Sequence, residues 1–408
     1  MELIYTICCG LDVHKRSIQA CLRRLGPDGR IHQEVRSFGT MTRDILEMAD
    51  WLAAAGVTHV AMESTGIYWK PIYNLLEGRF TLLLVNARHV KHVPGRKTDV
   101  KDCQWLAQLL QCGLLKGSFI PPWPQRELRE LTRHRTQLVA EKTRAANRIQ
   151  KVLEDANIKL ASVASDILGA SGRDMLRALI AGEQDPVKLA DLARRQLRSK
   201  IPQLALALEG QVTEHHCFVL GELLDHLGYL ESQIERFTRR IEEVSHPFAS
   251  AINLVTQVTG FDQRAAQNVV AEIGADMSPF PSEGHLASWS SVCPGSNESG
   301  GKRKSGKTTK GNRWLRSTLV QAAWAATRKK DSYFQAQYRR LAARRGKKRA
   351  ILAVAHSLLV VIYHMLKTGS TYKNLGGDYF DKLNKNRLLP FLLKRIKDLG
   401  YQVTLEAA

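Results

Sequence analysis

Two aspartates lie three residues apart in the segment GRKTDVKDCQ, which covers residues 95–104. Basic side chains surround Asp99 and Asp102 in this segment. Residues three apart in a helix lie on one face, with Cβ atoms about 5–6 Å apart. Two carboxylates in that arrangement can share a divalent cation, whereas the simpler interpretation is a pair of acids at a helix N-terminus, where Asp is favoured.

Two further acids follow apolar segments. Asp12 comes after LIYTICCGL, and Glu63 ends VTHVAME. An acid at the end of a buried strand is costly unless it is paired or metal-bound. Four carboxylates at one place would need cations, and two Mg²⁺ about 3.5–4 Å apart would also activate a water and stabilise a leaving oxygen at a phosphodiester. We therefore predict that Asp12, Glu63, Asp99 and Asp102 are catalytic ligands of a two-metal Mg²⁺ site, although each acid alone could be a cap or turn residue.

The hydrophobic pattern predicts the elements that must position these acids. Residues 3–38 predict three short strands with a turn at GPDG, and helices and strands then alternate as far as Gly113. Three meandering strands followed by alternating helix and strand are the order of an RNase H/RuvC-like α/β domain. In that fold the opening strand, the fourth strand and a later helix bring their acids to one end of the sheet.

The segment PPWPQ at 121–125 is a break, and the sequence after it predicts helix to about residue 245. Apolar residues from Leu220 to Val244 step alternately by three and four, which predicts a heptad seam. Together with an earlier heptad pattern, this favours an antiparallel coiled-coil arm, although a dimerising zipper would show the same spacing. We predict three domains: 1–122, an RNase H/RuvC-like domain; 123–245, the helical coiled-coil arm; and 246–408, a mainly α-helical domain with the serine loop.

Two segments of the third domain have distinctive patterns. LVTQVTGFDQRAAQNVVAEIG, residues 254–274, resembles a helix-hairpin-helix, with Gly260 at the turn where the usual hairpin has two glycines. Such modules contact the nucleic-acid backbone through main-chain N–H groups. ILAVAHSLLVVIYHML, residues 351–366, is shorter than the roughly 20 residues of a membrane span, so we predict a buried helix.

Composition and charge point to a nucleic-acid partner. The chain of 408 residues is 44% apolar, which suits a globular core, and carries a net charge of +21. Between Lys302 and Arg349 there are 17 Lys and Arg but a single acid, Asp331, which favours a polyanion over a membrane surface. The start MELIYTICCGLDVHK has no basic region and the cysteines form no CxxC pair, so we expect no signal sequence and reduced thiols in the cytoplasm.

A serine in this basic region is a candidate nucleophile. Ser299 precedes Gly300 and Gly301, which let a backbone approach closely, although a Ser beside two glycines is more often a simple loop. Basic side chains there could clamp a phosphate while the hydroxyl attacks it. The residues we predict to bind nucleic acid are Lys97, Lys101, Lys302, Arg303, Lys304, Lys307, Lys310, Arg313 and Arg316.

The motifs GLDVHK, MESTGIYW, GRKTDVKD…LAQLLQCG and ESGGKRKSGKTTKGNRWLR together resemble those of the DEDD-type insertion-sequence transposases, the bridge-RNA-guided recombinases. The resemblance implies that Asp12, Glu63, Asp99 and Asp102 are the DEDD acids and that Ser299 is the nucleophile. It also implies a tetramer, a dimer of dimers, on a guide RNA whose loops pair with target and donor DNA. The cutting and rejoining would pass through serine-linked intermediates in composite sites built from both domains.

We therefore predict a DNA transposase or recombinase. One alternative is a metal-dependent nuclease of the Holliday-junction type, which would use the same acids with water as the only nucleophile. The other is a non-catalytic nucleic-acid-binding scaffold, which would need neither the acids nor the serine. Substitution of Ser299 by Ala should leave strand cleavage by a hydrolytic nuclease intact but abolish joining by a recombinase. Substitution of Asp12 or Asp102 by Asn should leave a non-catalytic scaffold functional.

Overall fold

The computed structural model describes residues 3–64, 66–87, 90, 102–295, 297–308, 310–383, 385–402 and 404. The chain forms two compact units, Met1–Ile120 and Pro121–Ala408. The first unit contains the acids of interest and the second contains Ser299. The predicted boundary at residue 245 falls inside the second unit and stays a prediction.

A mixed sheet forms the centre of the first unit, with the strand order β3-β2-β1-β4-β5. The first three strands are an antiparallel meander, β4 is parallel to β1, and β5 is parallel to β4. The predicted meander of three strands and the predicted alternation of helix and strand after it are confirmed. The strands are β1 Ile7–Val13, β2 Ile18–Leu25, β3 Ile31–Phe38, β4 His59–Glu63 and β5 Thr81–Val85.

Helices cover both faces of this sheet, as parallel strands with long crossovers require. Helices α1 (Thr42–Ala54) and α2 (Trp69–Leu76) lie on one face, where their apolar side chains pack against Leu11 and Met62. Helix α3 (Asp102–Gln111) covers the other face. Its last apolar residue, Leu110, packs against Cys8 and Ala61.

Two long helices dominate the first half of the second unit, α4 (Trp123–Asp155) and α9 (Glu214–Val244). Their contacts pair residues in opposite order along the two helices: Leu128 with Ile241, His134 with Phe237, Lys142 with Glu231, and Asp155 with His216. The two helices therefore run antiparallel within one chain. Short helices connect them and share their core: α5 Leu160–Val163, α6 Ala170–Ile180, α7 Pro186–Asp191 and α8 Ile201–Leu208.

The remainder of the second unit is a helical assembly interrupted by one hairpin, β6 (Asn297–Ser299) and β7 (Lys302–Ser305). The predicted helix–turn–helix is present, and Gly260 at its turn has φ +100°. A Cβ at Gly260 would overlap the carbonyl oxygen of Ala322 in α13, so glycine permits this close approach. The helices are α10 Ala249–Thr256, α11 Gln263–Ile273, α12 Glu283–Trp289, α13 Arg313–Arg328, α14 Tyr333–Arg345, α15 Lys347–Thr368, α16 Tyr379–Leu383 and α17 Lys385–Asp398.

Helix α15 is the one helix in the described part of the chain that is long and apolar enough to cross a membrane by length and composition. Half of its most apolar window is buried inside the protein. Its side chains Val354, Leu358 and Ile362 are fully buried. The prediction of a buried core helix over these residues is thus confirmed, and α15 is weak support for a membrane span.

Candidate active site

Asp12 and Glu63 lie at the carboxyl ends of two neighbouring parallel strands. The last residue pair in the ladder between β1 and β4 is Leu11 with Met62, and each acid is the next residue of its strand. Neighbouring strands are about 4.8 Å apart, and side chains alternate between the faces. Both acids therefore share the face of Gly10, which is the face that α3 covers. The register brings these two predicted ligands together.

Gly10 is the residue that lets α3 lie close to β1. A Cβ at this position would overlap the backbone nitrogen of Ala107 and the carbonyl oxygen of Cys103. The far end of α3 lies at the start of β1, because the Gln111 carbonyl accepts from the backbone nitrogen of Ile4 at 2.9 Å. Helix α3 thus runs opposite to β1, and its first residue lies toward the strand end that carries Asp12.

Asp102 is that first residue, and it is exposed in the first turn of α3. The structure therefore places Asp12, Glu63 and Asp102 toward one end of the sheet. Asp99 lies outside the described residues, as do Lys97 and Lys101. Among the residues that the structure describes, there is no group of three or more His, Cys, Asp or Glu that could hold a metal ion.

The donor set nevertheless suits a hard divalent cation. Carboxylate oxygens are the ligands that Mg²⁺ prefers, usually one or two of them with several waters. Asp12 and Glu63 offer two from adjacent strands, and the Asp12 side chain is 24% exposed, which leaves room for water. The residues present fit Mg²⁺ by their chemistry.

His14 is a neighbour of this site that the sequence analysis did not single out. Its Nε2 lies 3.1 Å from Oδ2 of Asp12, so the imidazole orients this carboxylate. The signal was available, because residues two apart at the end of a strand share a face. The motif DVH, with Asp12 and His14 two residues apart, carries this signal.

Ser299 lies at the end of β6, in a hairpin where the sequence predicted a loop. Its strand partner is Lys302, so only Gly300 and Gly301 form the turn. Their φ values are +58° and +71°, and positive φ at both central residues defines the type I′ turn that suits the twist of a hairpin. The two glycines therefore close a hairpin, with Ser299 next to its tip.

The predicted nucleic-acid-binding side chains around this hairpin differ in their surroundings. Lys302, Lys310 and Arg313 are exposed. Arg316 is half-buried, and its Nη1 donates to Oγ1 of Thr308 at 2.9 Å. Arg316 therefore also ties the segment after the hairpin to α13. Lys307 is exposed, and the side chains of Arg303 and Lys304 lie outside the description, as does that of Ser299.

Comparison with known proteins gives two family matches. A model of the IS110-type DEDD transposases, described as Transposase, matches residues 9–158. A second model, described as Transposase IS116/IS110/IS902 family, matches residues 252–339. The first match contains all four predicted acids, and the second contains Ser299 and its basic surroundings.

Curated relatives give the same result. The chain is 26% identical over 306 residues to the Streptomyces coelicolor insertion element IS110 uncharacterized 43.6 kDa protein, covering 69% of this chain and 73% of the relative. It is 26% identical over 325 residues to the Mycobacterium paratuberculosis insertion element IS900 uncharacterized 42 kDa protein, covering 71% and 78%. It is 23% identical over 299 residues to the Coxiella burnetii transposase for insertion sequence element IS1111A, covering 71% and 72%.

The chain has an α/β unit with acids at one end of its sheet and a helical unit with a basic hairpin. Together with these matches, the two units define a DNA transposase, an enzyme that acts on DNA. The chain belongs to the IS110 family of DEDD transposases. The family resemblance predicted from the sequence motifs is confirmed. Family membership implies a DNA substrate and, in general, metal dependence.

Proposed function

We propose that this transposase cuts and rejoins DNA strands with Mg²⁺-binding acids from its first unit and a serine nucleophile from its second. One observation carries the proposal: Asp12 and Glu63 end adjacent parallel strands on the face where Asp102 begins α3. Asp99, three residues before Asp102, is the fourth acid of the proposed set. The strand order with acids at these ends supports an RNase H/RuvC-like fold.

The acids would hold Mg²⁺ near the scissile phosphate. When bound, the ions would neutralise charge on the attacking and leaving oxygens of the phosphodiester. The chain itself fixes where they bind, since Asp12 and Glu63 are held by strand register and Asp102 by the close packing of α3 on Gly10. His14 Nε2 lies 3.1 Å from Oδ2 of Asp12 and would help to orient this carboxylate.

Ser299 would exchange one phosphate ester for another. Its Oγ would form a bond to a DNA phosphorus while the bond from phosphorus to a deoxyribose oxygen breaks, and the serine proton balances the proton gained by the leaving oxygen. A hydroxyl of the second DNA strand would then attack the same phosphorus and release the serine. Rejoining needs no external energy source, because the ester bond is conserved.

The surroundings of Ser299 support this role. Gly300 and Gly301 at the hairpin tip let a DNA backbone approach closely. The exposed cations Lys302, Lys310 and Arg313 lie within the next 14 residues of the sequence. They would stabilise the charge of the transferring phosphate.

The RNA guide is the part of the proposal that depends on the family resemblance. We propose that a structured bridge RNA pairs with target and donor DNA, and that the enzyme assembles as a dimer of dimers on it in a prokaryotic cytoplasm, near the nucleoid. The basic segment 302–349 supports a polyanion partner, and its charge suits an RNA backbone as well as a DNA backbone.

The test is to trap the reaction on DNA carrying the ends of the enzyme's own element, with Mg²⁺ and the RNA that co-purifies with the protein. We expect a denaturant-resistant protein–DNA adduct, with the phosphate mapped to Ser299 by mass spectrometry. Ser299→Ala should lose the adduct and strand joining, whereas Ser305→Ala, in the opposite strand of the hairpin, should keep both. Full strand cleavage by Ser299→Ala would instead indicate a hydrolytic nuclease with water as the nucleophile.

A further inference from the structure

A buried carboxylate lies between α4, α11 and α13 in the second unit. The Glu272 side chain is 3% exposed. Arg133 donates two hydrogen bonds to this carboxylate, from Nε to Oε1 at 2.6 Å and from Nη2 to Oε2 at 2.8 Å. Arg129 Nε lies 3.4 Å from Oε2. This is the bidentate geometry of strong, directional ion pairs.

Arg129 also holds the carboxyl end of α11. Arg129 Nε donates to the carbonyl of Ala271 at 3.1 Å, and its Nη2 donates to the carbonyl of Glu272 at 2.5 Å. The amide of Gln125 donates to the Ala271 carbonyl as well, at 3.2 Å. Burial lowers the pKa of Arg129 to about 10, and the Glu272 carboxylate opposes that shift. Glu272 therefore provides the charge that keeps two α4 arginines in place.

Glu272 also contacts the segment that follows the serine hairpin. Asn312 Nδ2 donates to Oε2 of Glu272 at 2.5 Å. Asn312 Oδ1 accepts from the backbone nitrogens of Trp314 and Leu315 at 3.0 and 3.1 Å, which caps α13. One amide thus ties the start of α13 to the buried carboxylate.

The base of the hairpin is attached to the same place. Pro294 and Thr308 form an isolated bridge below the hairpin, and Gly295 donates to the Lys307 carbonyl at 3.2 Å. Arg316 of α13 donates to Thr308 at 2.9 Å. The two strands of the hairpin therefore leave from a base that is connected to the N-terminus of α13, where Asn312 meets Glu272.

We propose that Glu272 is a positioning residue for the transposition reaction, which holds the serine hairpin in place relative to α4 through Asn312. This inference rests on the proposed role of Ser299. A nucleophile misplaced by about 1 Å can lose about 100-fold in rate, so a buried anchor at the hairpin base has a direct effect on chemistry. Glu272 itself touches neither DNA nor the reacting atoms in this role.

The test compares four variants for the rate of the Ser299 adduct, for DNA affinity and for the melting temperature. Asn312→Ser keeps a helix cap but cannot reach Glu272, so it should fold and bind DNA normally while adduct formation falls about tenfold or more. Glu272→Gln and Asn312→Asp should each lose at least as much. The double variant Glu272→Gln/Asn312→Asp exchanges the amide and the carboxylate. It keeps one hydrogen bond and one negative charge in the pair but loses the bidentate contact with Arg133, so it should form the adduct faster than either single variant and slower than the parent.

The rescue separates a positioning role from a role in stability alone. A positioning residue changes the adduct rate while DNA affinity stays constant, and the exchanged pair then recovers part of that rate. A residue that only stabilised the fold would not show this recovery in adduct rate at constant DNA affinity. Adduct formation at the parent rate by Asn312→Ser and Glu272→Gln would overturn the proposal. So would a folded double variant no faster than the slower single variant.

Hydrogen exchange gives an independent measurement that does not depend on chemistry at Ser299. In Asn312→Ser, amides of residues 306–308 and 310–312 should exchange about tenfold faster than in the parent, while those of α10 should not change. If the parent protein forms no adduct at Ser299, the proposed function fails, yet faster exchange in this segment would still support the anchor. Unchanged exchange there would overturn it.

Discussion

The two candidate parts of the reaction are held by different kinds of interaction. In the first unit, Asp12 and Glu63 are positioned by backbone register, and Asp102 by a helix that lies directly on Gly10. In the second unit, the hairpin bearing Ser299 is attached through polar side chains that end at a buried carboxylate, Glu272. Backbone packing fixes the acids rigidly, whereas the hairpin depends on a few hydrogen bonds, which can be altered one at a time.

The comparison predicts that neutralising an acid removes chemistry without loosening the fold. We expect Asp12→Asn to lower strand cleavage about a thousandfold, since it removes a charged ligand at the site of charge development. The melting temperature should stay within a few degrees, because Asp12 is partly exposed and the register of β1 does not depend on its charge. The matched control is Asp28→Asn, in the turn between β2 and β3. Normal cleavage by Asp12→Asn would contradict a metal-binding role.

Backbone packing can be tested at Gly10. Gly10→Ala places a methyl group against the backbone of Cys103 and Ala107 in α3, neither of which can move as a flexible side chain would. We expect a loss of about 3 kcal/mol in the free energy of unfolding of the first unit, as for overpacked cores, measured by denaturant titration. Gly117→Ala is the control, because its Cβ would lie 3.9 Å from Leu83 in ordinary contact. Equal stability of the two variants would contradict the close packing of α3.

Asp12 and Gly10 show which features of the first unit could be predicted from the sequence and which could not. The placement of Asp12 and Glu63 was predictable because each follows an apolar strand whose pattern is local, and the strand order then brings the two strand ends together. The metal-binding role of all four acids stays a prediction. Asp99 remains a prediction. Gly10 and His14 were not recognised, since the need for glycine appears only when α3 is packed on β1.

Glu272 was harder to predict. Its partners Arg133 and Asn312 are 139 and 40 residues away in the sequence. An acid near the end of an amphipathic helix is common, so nothing in the local sequence marks Glu272 as buried and paired. The hairpin was predicted only as a loop, because its strands are short and polar. Its Gly-Gly turn was the available signal, since adjacent glycines favour a type I′ turn.

A smaller effect should follow from altering that turn. Gly300→Ala forces a residue with a Cβ to keep φ near +58°, which costs about 1–2 kcal/mol in that conformation. Because nothing lies within 4 Å of an added Cβ, we expect faster exchange of hairpin amides but an unchanged melting temperature for the unit. Gly300→Asn is the control, because Asn tolerates positive φ and is common at this turn position. If Gly300→Ala and Gly300→Asn behave alike, the turn is not what holds the hairpin.

The smallest expected effect concerns the exposed cations after the hairpin. Lys310→Gln removes one positive charge, and a lysine that contacts a phosphate releases about one counterion on binding. We expect the slope of log affinity against log salt concentration to become shallower by about one for Lys310→Gln. Arg316→Gln should differ, because Arg316 also contacts Thr308. Its loss should raise hydrogen exchange in residues 306–308 and 310–312 as well as weaken binding. An unchanged salt slope in Lys310→Gln would mean that this lysine lies away from the nucleic acid, and the phosphate contacts of this segment would then have to come from its other basic side chains.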